Sequence, residues 1–415
     1  MTNYKTRITT AIATGSVLLQ ALAGITHAST IEISGNGAGS NNGVAVNQVS
    51  TTQVSQSNTA NVSNNVNSSA NTGGNDANFN TGGNVTVNTG AANVSANVSN
   101  NLNSNAASVD CCANNGGTNV EVSGNGAFSD NLVGVNQTHA TSVSQGNAAY
   151  VNNNVNGKAN TGYNDAGFNT GGDVVVSTGK ASVHSDVSTN ANTNWAHVGS
   201  DMPMVGTGND VSLKIVGNGA GSENTIGATL ANTTALSQSN NANVNNNVDA
   251  KANSGKNDAN FNTGGDVVIH TGNAETTTDV DNAVNFNAAD VDCGCAYDLT
   301  AKIAGNGAAA GYQSSDANTI NANLISAQSL GQGNGSNLNN NLNDEAKTGK
   351  NEASKNVGEA NTDPSVVTGD ASSHTSVDNT GNTNIIGSLP VLPNLPDFDF
   401  DFNWAGFWGF WGLSL

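Results

Sequence analysis

Arginine occurs once, at Arg7, and charged residues make up only 10% of the 415-residue chain. Acids outnumber bases 31 to 11, for a formal net charge of −20. A negative field of this size, with no arginine beyond position 7, repels a phosphate backbone and offers no guanidinium clamp. Nucleic-acid binding and arginine-clamped phosphoryl transfer are thereby excluded. Aromatic residues amount to 5% and hydrophobic residues to 36%, too few for a large Leu-rich or aromatic core. Beyond the first 28 residues, no run approaches the ~20 apolar residues that span a bilayer as a helix.

Two small or polar residue types fill the space. The chain has 49 glycines and roughly 75 asparagines, the latter several times ordinary usage. Both disfavour helix interiors, so a helical fold is excluded as well.

The N-terminus has the form of an export signal. Lys5 and Arg7 precede a largely apolar or small stretch from Ile8 to Ile25, and Thr26-His27-Ala28 supplies small residues at −3 and −1. This predicts a secretory signal over 1–28, cleaved after Ala28, with a secreted, surface-associated mature chain. A retained membrane anchor is the alternative.

The body repeats four times. Gly35-Asn36-Gly37-Ala38 recurs at Gly124–Ala127, Gly217–Ala220 and Gly305–Ala308, about 90 residues apart. The repeats are placed at 29–119, 120–210, 211–298 and 299–387. A Pro-rich linker (388–396) and an aromatic C-terminal tail (397–415) follow. Within each repeat one block holds alternate positions. Gln56, Asn58, Ala60, Val62, Asn64 and Val66 are matched by Gln145, Asn147, Ala149, Val151, Asn153 and Val155. The third copy has Gln238, Asn240, Ala242, Val244, Asn246 and Val248, and the fourth Gln332, Asn334, Ser336, Leu338, Asn340 and Leu342. Period two denotes an extended strand with one constrained face. Thr-Gly and Gly-Gly corners such as Thr81-Gly82-Gly83 separate the strands.

Inward residues that are small, β-branched or amide suit an all-β solenoid, a β-helix-like rod of four ~90-residue repeats. Stacked Asn and Gln would form hydrogen-bonded ladders that satisfy otherwise costly buried polar groups. A coil of roughly 20 residues would give a body on the order of 80–90 Å long. The fourth copy, more charged between Asp344 and Glu359, reads as a cap. Disorder and an array of β-sandwich domains are the competing readings.

Gln-x-Asn-x-Ala strands such as Gln145-Gly146-Asn147-Ala148-Ala149 resemble those of curlin, the bacterial amyloid fibre subunit, and the Asn/Gly-rich repeats of large bacterial surface proteins. Curlin repeats are near 22 residues, so the resemblance covers strand chemistry only. It implies an extracellular fibre or matrix component and transfers no catalytic residue.

Other chemistry is sparse. Cys111-Cys112 and Cys293-Gly294-Cys295 each follow a Val-Asp pair, and disulfides are the default in an exported protein. In a long rod the two pairs would lie tens of Å apart, which leaves local staples or intermolecular links. Asp76, Asp165 and Asp258 recur at one position, and Asp173 and Asp266 at another. Turn capping is their first reading and Ca²⁺ binding the alternative; no other cofactor is expected. His139, His184, His197, His270 and His374 share no position, and no nucleophile–base pair or P-loop is present. The tail carries Phe398, Phe400, Phe402, Trp404, Phe407, Trp408, Phe410 and Trp411 after three prolines, an aromatic cluster that predicts attachment. Its expected partners are the envelope, a secretion partner or the next subunit; folding back over the last coil is the alternative.

The expectation is an exported, non-enzymatic structural protein of the cell surface or matrix. An adhesin or glycan-binding repeat protein is the first alternative. A carbohydrate-active β-helix enzyme is the second.

Overall fold

The computed structural model describes residues 29–109, 117–199, 210–292, 298–307, 318–358 and 364–387. The export signal, both cysteine pairs, the Pro-rich linker and the aromatic tail lie outside the described residues.

Sixteen strands and no helix form the described residues. The first repeat supplies β1 (Ser29–Ser34), β2 (Asn41–Asn71), β3 (Val85–Asn88) and β4 (Ala92–Val109). The second supplies β5 (Thr118–Ser123), β6 (Asp130–Asn160), β7 (Val174–Ser177) and β8 (Ala181–Gly199). The third supplies β9 (Asp210–Val216), β10 (Glu223–Asn253), β11 (Val267–His270) and β12 (Ala274–Asp292). The fourth supplies β13 (Asp298–Ala304), β14 (Asn318–Lys347), β15 (Ser365–Val367) and β16 (Ala371–Ile386).

Equivalent strands stack in four parallel sheets, ordered β1-β5-β9-β13, β2-β6-β10-β14, β3-β7-β11-β15 and β4-β8-β12-β16. Each repeat is therefore one complete coil, a single rung of the solenoid. The expectation of roughly 20-residue coils is corrected by this register: Val62 pairs with Val151, Val151 with Val244, and Val244 with Leu338. The 80–90 Å axial length falls with it. Four rungs span only about 15 Å from first to last, whereas the 31-residue β2 runs for about 100 Å. The molecule is a shallow stack of long, flattened loops. Its long dimension lies along the strands.

The interior lies between the β2-containing sheet and the strands that fold back over it. Near the start of the long sheet, Val133, Ile226 and Leu230 pack against Val122, Leu213 and Ile215. Toward its other end, Val155 and Val248 meet Ala96, Val98, Val187 and Val280. Val, Ile or Leu fully removed from water contributes about 1.5–3 kcal/mol per side chain. These clusters are small and are separated by polar layers, so the polar layers must be satisfied from within.

Strand alternation breaks once in each rung. Asn103, Asn192, Asn285 and Asn382 have φ of 58°, 67°, 63° and 60°. Asn tolerates this left-handed conformation better than other non-glycine residues. Every rung bulges at the same place: Leu102 pairs with Ala191 and Ser104 with Thr193, while Asn103 and Asn192 between them are both skipped. After the bulge the inward face shifts by one residue, which keeps Val109, Val198 and their neighbours in the core.

The last described residues before the two cysteine pairs belong to one sheet. Val109 pairs with Val198, and Val198 with Val291. These strand ends are two rungs apart, about 10 Å; the cysteines themselves lie outside the described residues.

Candidate functional site

The sequence-identified amides stand rung over rung. Gln56, Gln145, Gln238 and Gln332 form one column, Asn58, Asn147, Asn240 and Asn334 a second, and Asn64, Asn153, Asn246 and Asn340 a third. In the third, each Nδ2 donates to the Oδ1 of the next rung: Asn64 to Asn153 and Asn153 to Asn246 at 2.8 Å, and Asn246 to Asn340 at 2.7 Å. Gln238 donates back to Gln145 at 2.7 Å and Gln332 to Gln238 at 2.6 Å, so the glutamine column runs in the opposite sense.

The sequence reading missed the partners across the core. Asn105, Asn194, Asn287 and Asn384 face the second column and close a zigzag with it. Asn105 donates to Asn147 (2.9 Å), Asn147 to Asn194 (2.8 Å), Asn194 to Asn240 (2.8 Å) and Asn240 to Asn287 (2.9 Å). The bulge asparagines stack as well: buried Asn192 donates to the Asn241 carbonyl at 2.8 Å and to Asn285 Oδ1 at 2.9 Å. Each such bond adds only about 1 kcal/mol net, but a buried amide left unpaired would cost 1–3 kcal/mol. The ladders therefore permit a polar interior more than they drive collapse.

Two further columns lie at the corners. Phe79, Phe168 and Phe261 all have positive φ (61°, 56° and 58°) and all remain exposed. Their rings stack at centroid separations of 5.1 and 4.7 Å, nearly parallel. In the fourth rung Lys355 takes this place, with Nζ 4.7 Å from the centre of the Phe261 ring. The stacking attraction offsets the cost of a bulky left-handed residue at each corner. Nearby, Lys256 Nζ donates to the Tyr163 hydroxyl at 2.6 Å and sits 4.6 Å over its ring.

The repeated aspartates also stack. Asp76, Asp165, Asp258 and Glu352 pair in register through backbone bridges. Burial, then the Asp165 and Glu352 charges, push the Asp258 carboxyl above its usual range. Asp173 and Asp266 stand in a separate column, where the Asp266 amide donates to Asp173 Oδ1 at 3.0 Å. Asp258 thus stands in line with other acids; among the described residues no group of three or more His, Cys, Asp or Glu is arranged to hold a metal ion. Among the described residues no helix is long and apolar enough to cross a membrane.

The remaining distinctive surfaces are the two ends of the stack. Rung one presents an unpaired edge of β1–β4, and rung four an unpaired edge of β13–β16. No family model, curated protein or solved structure matches the chain.

Proposed function

We propose that the chain is an exported structural protein of the cell surface or extracellular matrix, a fibre, coat or biofilm component held in place by its aromatic C-terminal segment. One observation supports this reading above the others. The interior is committed to holding shape, with amide ladders and small apolar clusters filling it from rung one to rung four. A non-enzymatic role is part of this reading, and curlin-like strand chemistry agrees with it. The strong negative charge of the chain keeps an Asn-rich outer face hydrated.

Fractionating cells into cytosol, envelope, matrix and medium tests the reading. The full chain should collect in the envelope or matrix. A chain lacking 397–415 should appear in the medium. Cytosolic retention of the full chain would contradict export, and unchanged surface retention of the truncated chain would contradict attachment through the tail.

The adhesin reading has its own support. Asn152, Asn154, Asn245, Asn247, Asn339 and Asn341 line an open depression on the outer face of the long sheet. Regularly spaced amides of this kind suit glycan hydroxyls. Ligand-dependent attachment that is lost in Asn245→Ala would favour this second reading.

A further inference from the structure

We infer that a second copy of this chain docks head to tail, with the rung-four face of one molecule receiving the rung-one face of the next in the same register that joins the rungs within a molecule. The inference deepens the structural reading by naming its partner, and so rests on it. Because the contact joins two different faces, it does not close and generates a filament.

The hydrogen-bond ladders end in matching orphans. In one column Asn125 Nδ2 donates to Asn218 Oδ1 and Asn218 Nδ2 to Asn306 Oδ1, each at 3.0 Å. Asn306 Nδ2, the last donor, is buried without a partner at the rung-four face. The same column begins at rung one with Asn36, whose backbone amide donates to Asn125 Oδ1 at 3.1 Å. In the oppositely directed glutamine column, the last acceptor, Gln332 Oε1, is also buried without a partner. The corresponding donor at rung one is Gln56, which uses one amide N–H on the Ala106 carbonyl at 2.9 Å. One donor and one acceptor are thus left over at the last rung of their columns. Buried polar atoms are rarely left so.

Charge agrees. One column reads Glu32, Glu121, Lys214, Lys302 from rung one to rung four. Within a molecule its acids lie together and its lysines lie together. Docking sets Lys302 beside Glu32 of the next copy. Residues 29–117 contain no lysine, whereas the fourth repeat contains four. The aromatic column continues in the same way: Lys355, already over Phe261, receives the 75% exposed Phe79 of the next copy on its other side. One column opposes docking, since Glu352 would meet Asp76 of the next copy.

Close packing supplies a third line. A Cβ on Gly162 or Gly255 would collide with the backbone of the following rung, and one on Gly179 or Gly272 with the backbone of the preceding rung. Their end-rung equivalents, Gly349 and Gly90, have no atom within 4 Å of a Cβ and no positive φ. Nothing within one molecule requires glycine there. A docked copy does, because Gly349 then lies against Gly73 and Gly90 against Gly369.

The test uses the full exported chain and its Gly90→Ala, Gly349→Ala, Lys302→Glu and Glu32→Lys/Lys302→Glu variants. Sedimentation and electron microscopy give the critical concentration for filaments. Circular dichroism and melting report the fold of the monomer. The wild type should form filaments. Gly90→Ala and Gly349→Ala should melt normally and raise the critical concentration on the order of tenfold or more. Lys302→Glu should weaken assembly, and the double charge swap should restore it. A folded wild-type chain that stays monomeric at all concentrations would overturn docking. Filaments indifferent to all four variants would overturn this register. Neither result touches the surface location, which the fractionation experiment decides separately.

Discussion

Asn153 Nδ2 donates to Asn246 Oδ1 at 2.8 Å across two rungs that lie 93 residues apart in the chain. Asn153 is fully buried and also accepts from Asn64, at 2.8 Å, and from Asn100, at 3.2 Å. Asn153→Ala removes a donor and an acceptor from the middle of a ladder and strands its neighbours. It should cost about 2–4 kcal/mol. Asn152→Ala, one residue away on the exposed face, should stay within about 0.5 kcal/mol. Denaturant midpoints of the two variants give the comparison. Equal effects would show that inward amides are no more important than outward ones.

Glycine at the rung-to-rung contact makes the spacing between strands possible. A Cβ at Gly162 would overlap the Gly255 carbonyl. Gly162→Ala should therefore force two rungs apart and lower the melting midpoint severely, by several kcal/mol in stability. Gly43→Ala has open space around it and should be neutral. Thermal melts followed by circular dichroism separate the two.

The phenylalanine column sets stacking against backbone strain. Phe168→Ala and Phe168→Gly both remove the contacts with Phe79 and Phe261. Only the alanine keeps a Cβ at φ 56°. The glycine variant should be more stable than the alanine variant by about 1 kcal/mol. A reversed order would mean that the corner changes conformation once the ring is gone.

Acid should strengthen the fold over a limited window. Asp258 and Asp281 both have carboxyls raised above the ordinary aspartate range, first by burial and then by neighbouring acids. For Asp258 these are Asp165 and Glu352; for Asp281 they are Asp378 and Asp186. Between the ordinary value and the raised native one, the folded state binds more protons than the unfolded state. Stability due to these groups is thus present below that window and lost as pH rises through it. Glu345, lowered first by its hydrogen bond to Lys347, is partly exposed and so screened by water, and it contributes little in the opposite sense. Asp258→Asn should flatten the pH dependence and raise stability at neutral pH, as followed by urea midpoints from pH 3.5 to 7.

Much of this was legible in the alternation. Gln145, Asn147, Ala149, Val151 and Asn153 identify the inward face of a strand because period two is a direct consequence of backbone geometry. Coil length was not legible. Period two does not say where a strand ends, and 31-residue strands lie far outside the usual length of five or six. Corners such as Thr81-Gly82-Gly83 are legible as turns between strands, and Gly82 and Gly83 do have positive φ, but nothing in them shows that they bend one long coil rather than end a short one. The Asn105–Asn384 partners were hidden by the bulge, which breaks the alternation just before them. The recurrent Asn-x-Asn of 103/105, 192/194, 285/287 and 382/384 was the available signal. Phe79, Phe168 and Phe261 escaped notice because aromatics in a polar turn give no hint that they stack on one another outside the core.

The central claim is that one repeat makes one rung, and a distance measurement tests it most directly. Ser63 and Asn339 occupy the first and last places of one outward column. Spin labels on Ser63→Cys and Asn339→Cys, with the four native cysteines replaced by serine, should give a narrow distance of about 15–20 Å by pulsed dipolar spectroscopy, three rung spacings plus the tethers. A distance of 50 Å or more, or a broad distribution typical of an unfolded chain, would contradict the account.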